Sequence, residues 1–146
     1  MTKLLGLLVL PALVGVLLVA PPTADAARAA RAAEPTKVIG DCQHPAFEPK
    51  KIIAACADFN AFAVVKHYDS WTRHQARGSG RLAMNDCKPD CASGHVHRYP
   101  ATFSLHKVVT KQDGTRLFSK LGVTYYKHGQ PHDITFLLPT ISVIVG

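Results

Sequence analysis

The stretch Tyr99-Pro100-Ala101-Thr102-Phe103-Ser104-Leu105-His106 places an apolar side chain at every second position. A period of two is typical of a strand that buries one face and exposes the other, and it differs from the 3.6-residue period of a helix. The turn formers Gln112-Asp113-Gly114 follow shortly afterwards. The stretch therefore predicts a protein built mainly from β-strands.

Two apolar runs downstream of this stretch are further strand candidates. They cover residues 117–126 and 134–145 and are separated by Lys127-His128-Gly129-Gln130-Pro131, whose Gly and Pro predict a loop. Pro139 interrupts the second run. Because proline cannot donate a ladder hydrogen bond, this run should be an edge strand or be split in two.

Two apolar runs upstream, at 51–57 and 62–68, predict a hairpin around Asp58-Phe59-Asn60, since Asp and Asn tolerate turn conformations. The alternative is a single Ala-rich helix from residue 49 to about residue 69. Ile, Val and Phe dominate the large side chains here, and these residues favour strands.

Short apolar runs with turns between them predict an all-β, or mainly β, fold. The expected architecture is a small antiparallel sandwich or barrel stapled by disulfides. Trp71 is expected inside the core, because aromatic side chains dominate core burial. Gly78-Ser79-Gly80 is too short for a nucleotide-binding signature and predicts a turn or a bulge.

The N-terminus has the pattern of a secretory signal peptide over residues 1–26. Lys3 is followed by an uncharged apolar run and by the small-x-small site Ala24-Asp25-Ala26. The alternative is an uncleaved anchor, but Pro11 breaks a run that is already short for a span. Export of a secreted, extracellular protein with no stable membrane span after cleavage is the prediction. A flexible Ala/Arg-rich tail at 27–40 and a single β-rich domain at 41–146 should follow.

The four cysteines Cys42, Cys56, Cys87 and Cys91 allow three disulfide pairings, and local pairing is the simplest. Pro89 suits the second position of a type I turn from Lys88 to Cys91, with Asp86 and Asp90 free to bond backbone amides.

A zinc or copper site is the alternative use of these thiols. Cys87, Cys91, His95 and His97 offer two sulfurs and two imidazoles within eleven residues. Export favours oxidised thiols instead, and the spacing differs from the common zinc-finger patterns. Disulfides are therefore expected, with no metal and no other cofactor.

The net charge is +7, and removal of residues 1–26 leaves it unchanged because Lys3 and Asp25 are lost together. A basic protein favours polyanions, so an anionic envelope polymer or another secreted protein is a candidate partner. Basic residues are spread along the chain, so specific nucleic-acid binding is not expected. Trp71, Arg73 and Arg77 form a possible binding surface by proximity in sequence.

Catalytic motifs are missing from the sequence. It contains no Gly-x-Ser-x-Gly elbow, no His-Glu-x-x-His helix and no phosphate-cradling loop with its lysine. The leading hypothesis is a secreted, non-enzymatic binding or structural protein that acts at the cell envelope or extracellularly. A small secreted protease inhibitor, presenting Lys88-Pro89-Asp90 as a rigid insert, is the alternative. Extracellular metal binding is a weaker one.

The chain contains the motifs Trp71, Ala76-x-Gly78-x-Gly80, Asn85-x-Cys87-x-Pro89-x-Cys91-Ala92-x-Gly94 and Tyr99-Pro100. Together they resemble a group of small secreted proteins from high-GC Gram-positive bacteria. The resemblance covers residues 52–106 and is most specific at the Cys-Pro-Cys-Ala-Gly segment. It implies export and a disulfide-containing β domain, and it assigns no catalytic residue. Many members have a second tryptophan where this chain has Tyr68.

Overall fold

A computed structural model of the chain describes residues 23–26 and 34–141. The rest of the predicted signal peptide, residues 27–33 of the predicted tail and residues 142–146 lie outside the described residues. Among the described residues, no helix has the length and apolar character needed to cross a bilayer. One helical turn lies at 24–26. The strands are β1 (Val38–Ile39), β2 (Pro45–Ala46), β3 (Lys51–Ile53), β4 (Ala61–Trp71), β5 (Ala76–Asn85), β6 (Val96–Thr110), β7 (Arg116–Lys127) and β8 (Gln130–Leu137).

The dominant element is a six-stranded antiparallel sheet in which every strand pairs with its neighbour in sequence, in the order β3-β4-β5-β6-β7-β8. The sheet curls into a half-barrel, and β1 and β2 form a separate two-stranded sheet. The predicted all-β, antiparallel, disulfide-containing fold is therefore confirmed. The upstream hairpin is also confirmed as β3 and β4, and the alternative helix does not form.

The alternating stretch that predicted the fold lies in β6, a central strand. Ala101, Phe103 and Leu105 are all buried, with at most 5% of their surface exposed. Their neighbours Thr102 and Ser104 lie on the other side, as period two requires. The predicted turn after β6 forms at residues 112–114.

The segment Gly78-Ser79-Gly80 is the middle of β5, so the predicted turn is wrong. Irregularities do occur beside it, because Lys66 and Asp69 of β4 are extra residues between the paired positions. A β-carbon on Gly80 would overlap the Val64 carbonyl oxygen, and one on Gly78 would lie 2.5 Å from the His67 carbonyl oxygen. The glycines therefore let β5 approach a bulged partner strand closely.

The β7–β8 hairpin has a shorter loop than predicted. Only His128 and Gly129, with φ of 53° and 78°, connect the strands, while Gln130 and Pro131 already belong to β8. Two positive φ values are the requirement of a tight hairpin turn. β8 is an edge strand that ends at Leu137, before Pro139, so the edge-strand prediction holds for residues 134–137 of the predicted run 134–145. Residues 142–145 of that run lie outside the described residues.

The packed domain begins before residue 41, so the predicted boundary of the tail is wrong. Val38 and Thr36 are fully buried. Lys37 forms a parallel bridge with Leu117 at the start of β7. These contacts come from a strand distant in sequence, so a local Ala/Arg-rich composition gave no signal for them.

Trp71 is half-buried and packs against the core, whereas the sequence predicted it inside the core. Its ring centroid lies 5.0 Å from Tyr68 and 5.6 Å from Phe118, both in edge-to-face geometry. The indole Nε1 donates a 2.7 Å hydrogen bond to the Thr36 carbonyl oxygen. Trp71 therefore joins the N-terminal segment to the sheet, and its polar atom is satisfied internally.

Candidate functional site

The four cysteines form two local disulfides, Cys42–Cys56 and Cys87–Cys91, as the simplest pairing predicted. The second bridge removes both sulfurs from the proposed metal-ligand set, so that interpretation is wrong for the oxidised chain. A zinc or copper thiolate site needs unpaired sulfurs. His95 and His97 are exposed, and His97 lies near the start of β6.

Hydrogen bonds from Asn85 organise the loop that carries the second bridge. Its Nδ2 donates to the Cys91 carbonyl oxygen at 2.7 Å, and its Oδ1 accepts from the Cys87 amide at 3.0 Å. A β-carbon on Gly94 would collide with the Asn85 side chain. The Asn, Cys and Gly positions of the motif are therefore explained by loop architecture.

Asp86 is the second organiser of this loop. Its Oδ1 accepts from the amides of His95 at 2.9 Å and Lys88 at 3.2 Å, and its Oδ2 lies 2.9 Å from His97 Nε2. The His95 amide and then the His97 ring hold the pKa of Asp86 well below its usual value of 3.8. The carboxylate therefore stays ionised and keeps the loop attached to β6.

The turn within the loop differs from the predicted one. The Lys88–Pro89 peptide is cis, and the turn lies at residues 91–93 in place of the expected type I turn over 88–91. Asp90 Oδ1 accepts from the Ser93 amide at 2.8 Å, as the sequence predicted for this carboxylate.

The structure does not bring Trp71, Arg73 and Arg77 together on one surface. Trp71 pairs with buried Ala76, and Arg77 is the next residue along β5, so its side chain lies on the opposite side of the sheet. The Arg73 carbonyl oxygen accepts from Thr36 Oγ1 at 2.7 Å, in the turn after β4. Of the three, only Arg77 lies on the side of the sheet that faces away from the core.

That outward side, here called the outer face, carries a cluster of four cations that the sequence did not group, and Lys51 and Lys120 also face this side. Lys66 lies at a bulge of β4, Arg77 and Arg81 on β5, and Arg98 on β6. All four are exposed. No carboxylate among residues 23–26 and 34–141 lies within ion-pair distance of any of them.

Two shallow depressions lie between these cations. One, of about 570 Å³, is lined by Val64, Gly80 and Pro100 together with the side chains of Lys66 and Arg81. The other, of about 350 Å³, contains Arg77, Asp69, Gly78 and Phe103 together with the hydroxyl-bearing residues Thr102, Ser104 and Thr124. The outer face thus combines positive charge, the Asp69 carboxylate, hydroxyl groups and a small apolar area.

The spacing of the cations explains why sequence reasoning missed the outer face. Arg77 and Arg81 are four residues apart on one strand, which places them about 13 Å apart on the same side. Arg98 comes from a different strand, beside Ala83, and Lys66 faces this side next to a bulge. The one available signal was the even spacing of Arg77 and Arg81, which places both side chains on the same side of a strand. This signal could be used only if Gly78-Ser79-Gly80 was known to be extended.

The arrangement can bind anions through charge and hydrogen bonds. No protein-family model, no curated protein and no solved structure matches this chain. The geometry of its own residues therefore carries the functional argument.

Proposed function

We propose that this chain is an extracellular, non-enzymatic binding protein that holds an anionic polymer of the cell envelope across its outer face. The carrying observation is the group of four exposed cations, Lys66, Arg77, Arg81 and Arg98, without carboxylate partners in the described part of the chain. The two disulfides support an oxidising compartment. The signal-peptide pattern and the resemblance to secreted Gram-positive proteins point to the same location.

A polymer suits this face better than a small anion. Each exposed cation contributes little alone, because water and salt screen its charge. A chain of linked anionic groups engages several cations at once, and each contact after the first is effectively intramolecular. Shallow depressions on an open sheet also suit an extended ligand, since a small ligand usually needs an enclosed pocket.

The test is retention of the purified secreted protein on isolated Gram-positive cell wall as salt rises from about 0.05 M to about 0.5 M. The Arg77→Ser, Arg81→Ser double variant removes two outer-face cations. The matched control, Lys88→Ser with Lys111→Ser, removes the same charge from exposed sites elsewhere. We expect the slope of log affinity against log salt to fall by about 1 to 2 in the first variant, on the scale measured for phosphate contacts.

Three results would contradict the proposal. Retention at low salt no greater than that of a neutral protein would exclude envelope binding. Equal losses in the two double variants would mean that net charge alone, without the outer face, causes retention. Tighter binding to duplex DNA than to wall polymer would assign the outer face to nucleic acid instead.

Protease inhibition is the second candidate, and the loop around Lys88-Pro89-Asp90 favours it. These residues are exposed, and a disulfide encloses them. Asn85 donates a hydrogen bond to the Cys91 carbonyl oxygen and Asp86 accepts one from the Lys88 amide, which fixes both ends of the loop. A pre-organised loop loses little conformational entropy when it enters a protease cleft. The test is inhibition of a panel of serine proteases and metalloproteases by this protein at micromolar concentration. If no enzyme of the panel is slowed, this function is excluded.

A further inference from the structure

The opposite side of the sheet carries a second feature, a continuous row of four aromatic rings. This ring strip consists of His97 and Tyr99 on β6, Tyr125 on β7 and His132 on β8. Successive ring centroids lie 6.3, 5.3 and 5.2 Å apart. The strip therefore crosses three strands without a gap.

The ring strip lies where the concave side of the half-barrel continues beyond the buried core. Ala101, the residue paired with Tyr125, is 5% exposed, and Val123 is 2% exposed. One step further along the same side, the two tyrosines are half-buried and the two histidines are exposed. The mouths of curled sheets and barrels are common ligand sites because their walls are already formed.

Each ring combines an apolar body with a polar edge. The hydroxyls of Tyr99 and Tyr125 and the nitrogens of His132 have no hydrogen-bond partner within the described part of the chain. Asp86 fixes the His97 ring through the 2.9 Å contact to Nε2. His97 stacks on Tyr99 and His132 stacks on Tyr125, with planes 23° apart in each pair, so the histidine covers one face of each tyrosine. The two tyrosine planes are inclined by 47°, so neither tyrosine fully covers the other.

We propose that the ring strip binds a neutral saccharide chain. A sugar ring has faces of C–H groups, which pack on aromatic rings, and a rim of hydroxyls, which bond to phenol and imidazole atoms. A purely apolar ligand would leave those polar atoms unpaired, at a free-energy cost. Asp86, which contacts His97, and Lys127, two residues beyond Tyr125 on β7, place opposite charges beside the strip, and this disfavours a polyanion.

This site is independent of the outer face, because the two lie on opposite sides of one sheet. The test is titration of the secreted protein with neutral tetrasaccharides of β-1,4-linked glucose, xylose or N-acetylglucosamine, followed by calorimetry. Tyr99→Ala should weaken binding about tenfold, which is the size of one aromatic contact. Tyr126→Ala is the matched control, since Tyr126 is 45% exposed and follows Tyr125 on the other side of β7.

Further measurements separate a binding role from a structural one. Tyr99→Phe keeps the ring and loses only the hydroxyl, so its affinity should fall between those of the wild type and Tyr99→Ala. The Arg77→Ser, Arg81→Ser variant should bind the sugar as the wild type does, with little dependence on salt. The proposal is overturned if no tetrasaccharide binds at millimolar concentration, if Tyr126→Ala weakens binding as much as Tyr99→Ala, or if salt abolishes binding.

Discussion

Loss of the Cys42–Cys56 bridge should destabilise the protein more than loss of Cys87–Cys91. The Cys42–Cys56 bridge joins residues 14 positions apart, and the Cys87–Cys91 bridge joins residues 4 positions apart. Loop-closure entropy then gives about 3 kcal/mol for the first and about 2 kcal/mol for the second. The longer loop restricts the unfolded chain more, so its opening releases more entropy.

Burial increases this difference. Cys42 is fully buried, whereas Cys91 is exposed. Replacing Cys42 with alanine removes a buried sulfur, which adds about 1 kcal/mol. The hydrogen bond that Asn85 donates to Cys91 and the one that Asp86 accepts from Lys88 still hold the shorter loop when its bridge is absent. The expected losses in the free energy of unfolding are therefore about 4 kcal/mol and about 2 kcal/mol.

Urea unfolding of two double variants measures both values. One carries Cys42→Ala with Cys56→Ala, and the other carries Cys87→Ala with Cys91→Ala. Trp71 is the single tryptophan, and its ring centroid lies 5.0 Å from that of Phe47. Phe47 belongs to the loop closed by Cys42–Cys56, so the fluorescence of Trp71 reports on that loop directly. Mass analysis without reduction checks that the remaining bridge is intact. An equal or greater loss in the Cys87–Cys91 variant would refute the reasoning from loop length and burial.

Three further changes test packing and electrostatics. Gly80→Ala adds a methyl group that overlaps the Val64 carbonyl, so it should cost about 2 kcal/mol in urea unfolding, while Ser79→Ala should be nearly neutral. Asp86→Asn should reduce the loss of stability that the protein shows as pH falls below about 4. The native pKa of Asp86 lies below 3.8, so the ionised carboxylate stabilises the fold above about pH 4, and this contribution is lost as pH falls toward the pKa of the folded state. Urea midpoints at falling pH measure this. Trp71→Phe removes the indole hydrogen bond and should cost about 1 kcal/mol in thermal unfolding.

Strand formation was predictable where the signal is local. The alternation in β6 and the apolar runs of β3 and β4 report the side-chain environment of each strand directly. Their turns also have local chemistry, as at Gly114 with a φ of 86°. The short strand β1 had no such signal, because Val38 is buried by residues that lie far along the chain.

The candidate sites were harder to predict because they depend on which side of the sheet each residue faces. The bulge at Lys66 reverses which residues of β4 face the core, and the bulge at Asp69 reverses this again. The sequence contains no signal for either change. The ring strip also depends on register, since Tyr99, Tyr125 and His132 meet only when three strands are aligned. Single-strand patterns contain no information about that alignment.

The sequential strand order has a consequence for how the chain folds. Each strand of the large sheet pairs with the one made just before it, and both disulfides join residues close in sequence. Folding can therefore proceed hairpin by hairpin, with a lower loop-closure cost than in sheets built from distant strands. The exception is the N-terminal segment, in which Thr36 contacts Arg116, 80 residues away, and Lys37 forms a bridge with Leu117. Those contacts must wait for β7, so docking of the N-terminal segment should be a late event in refolding.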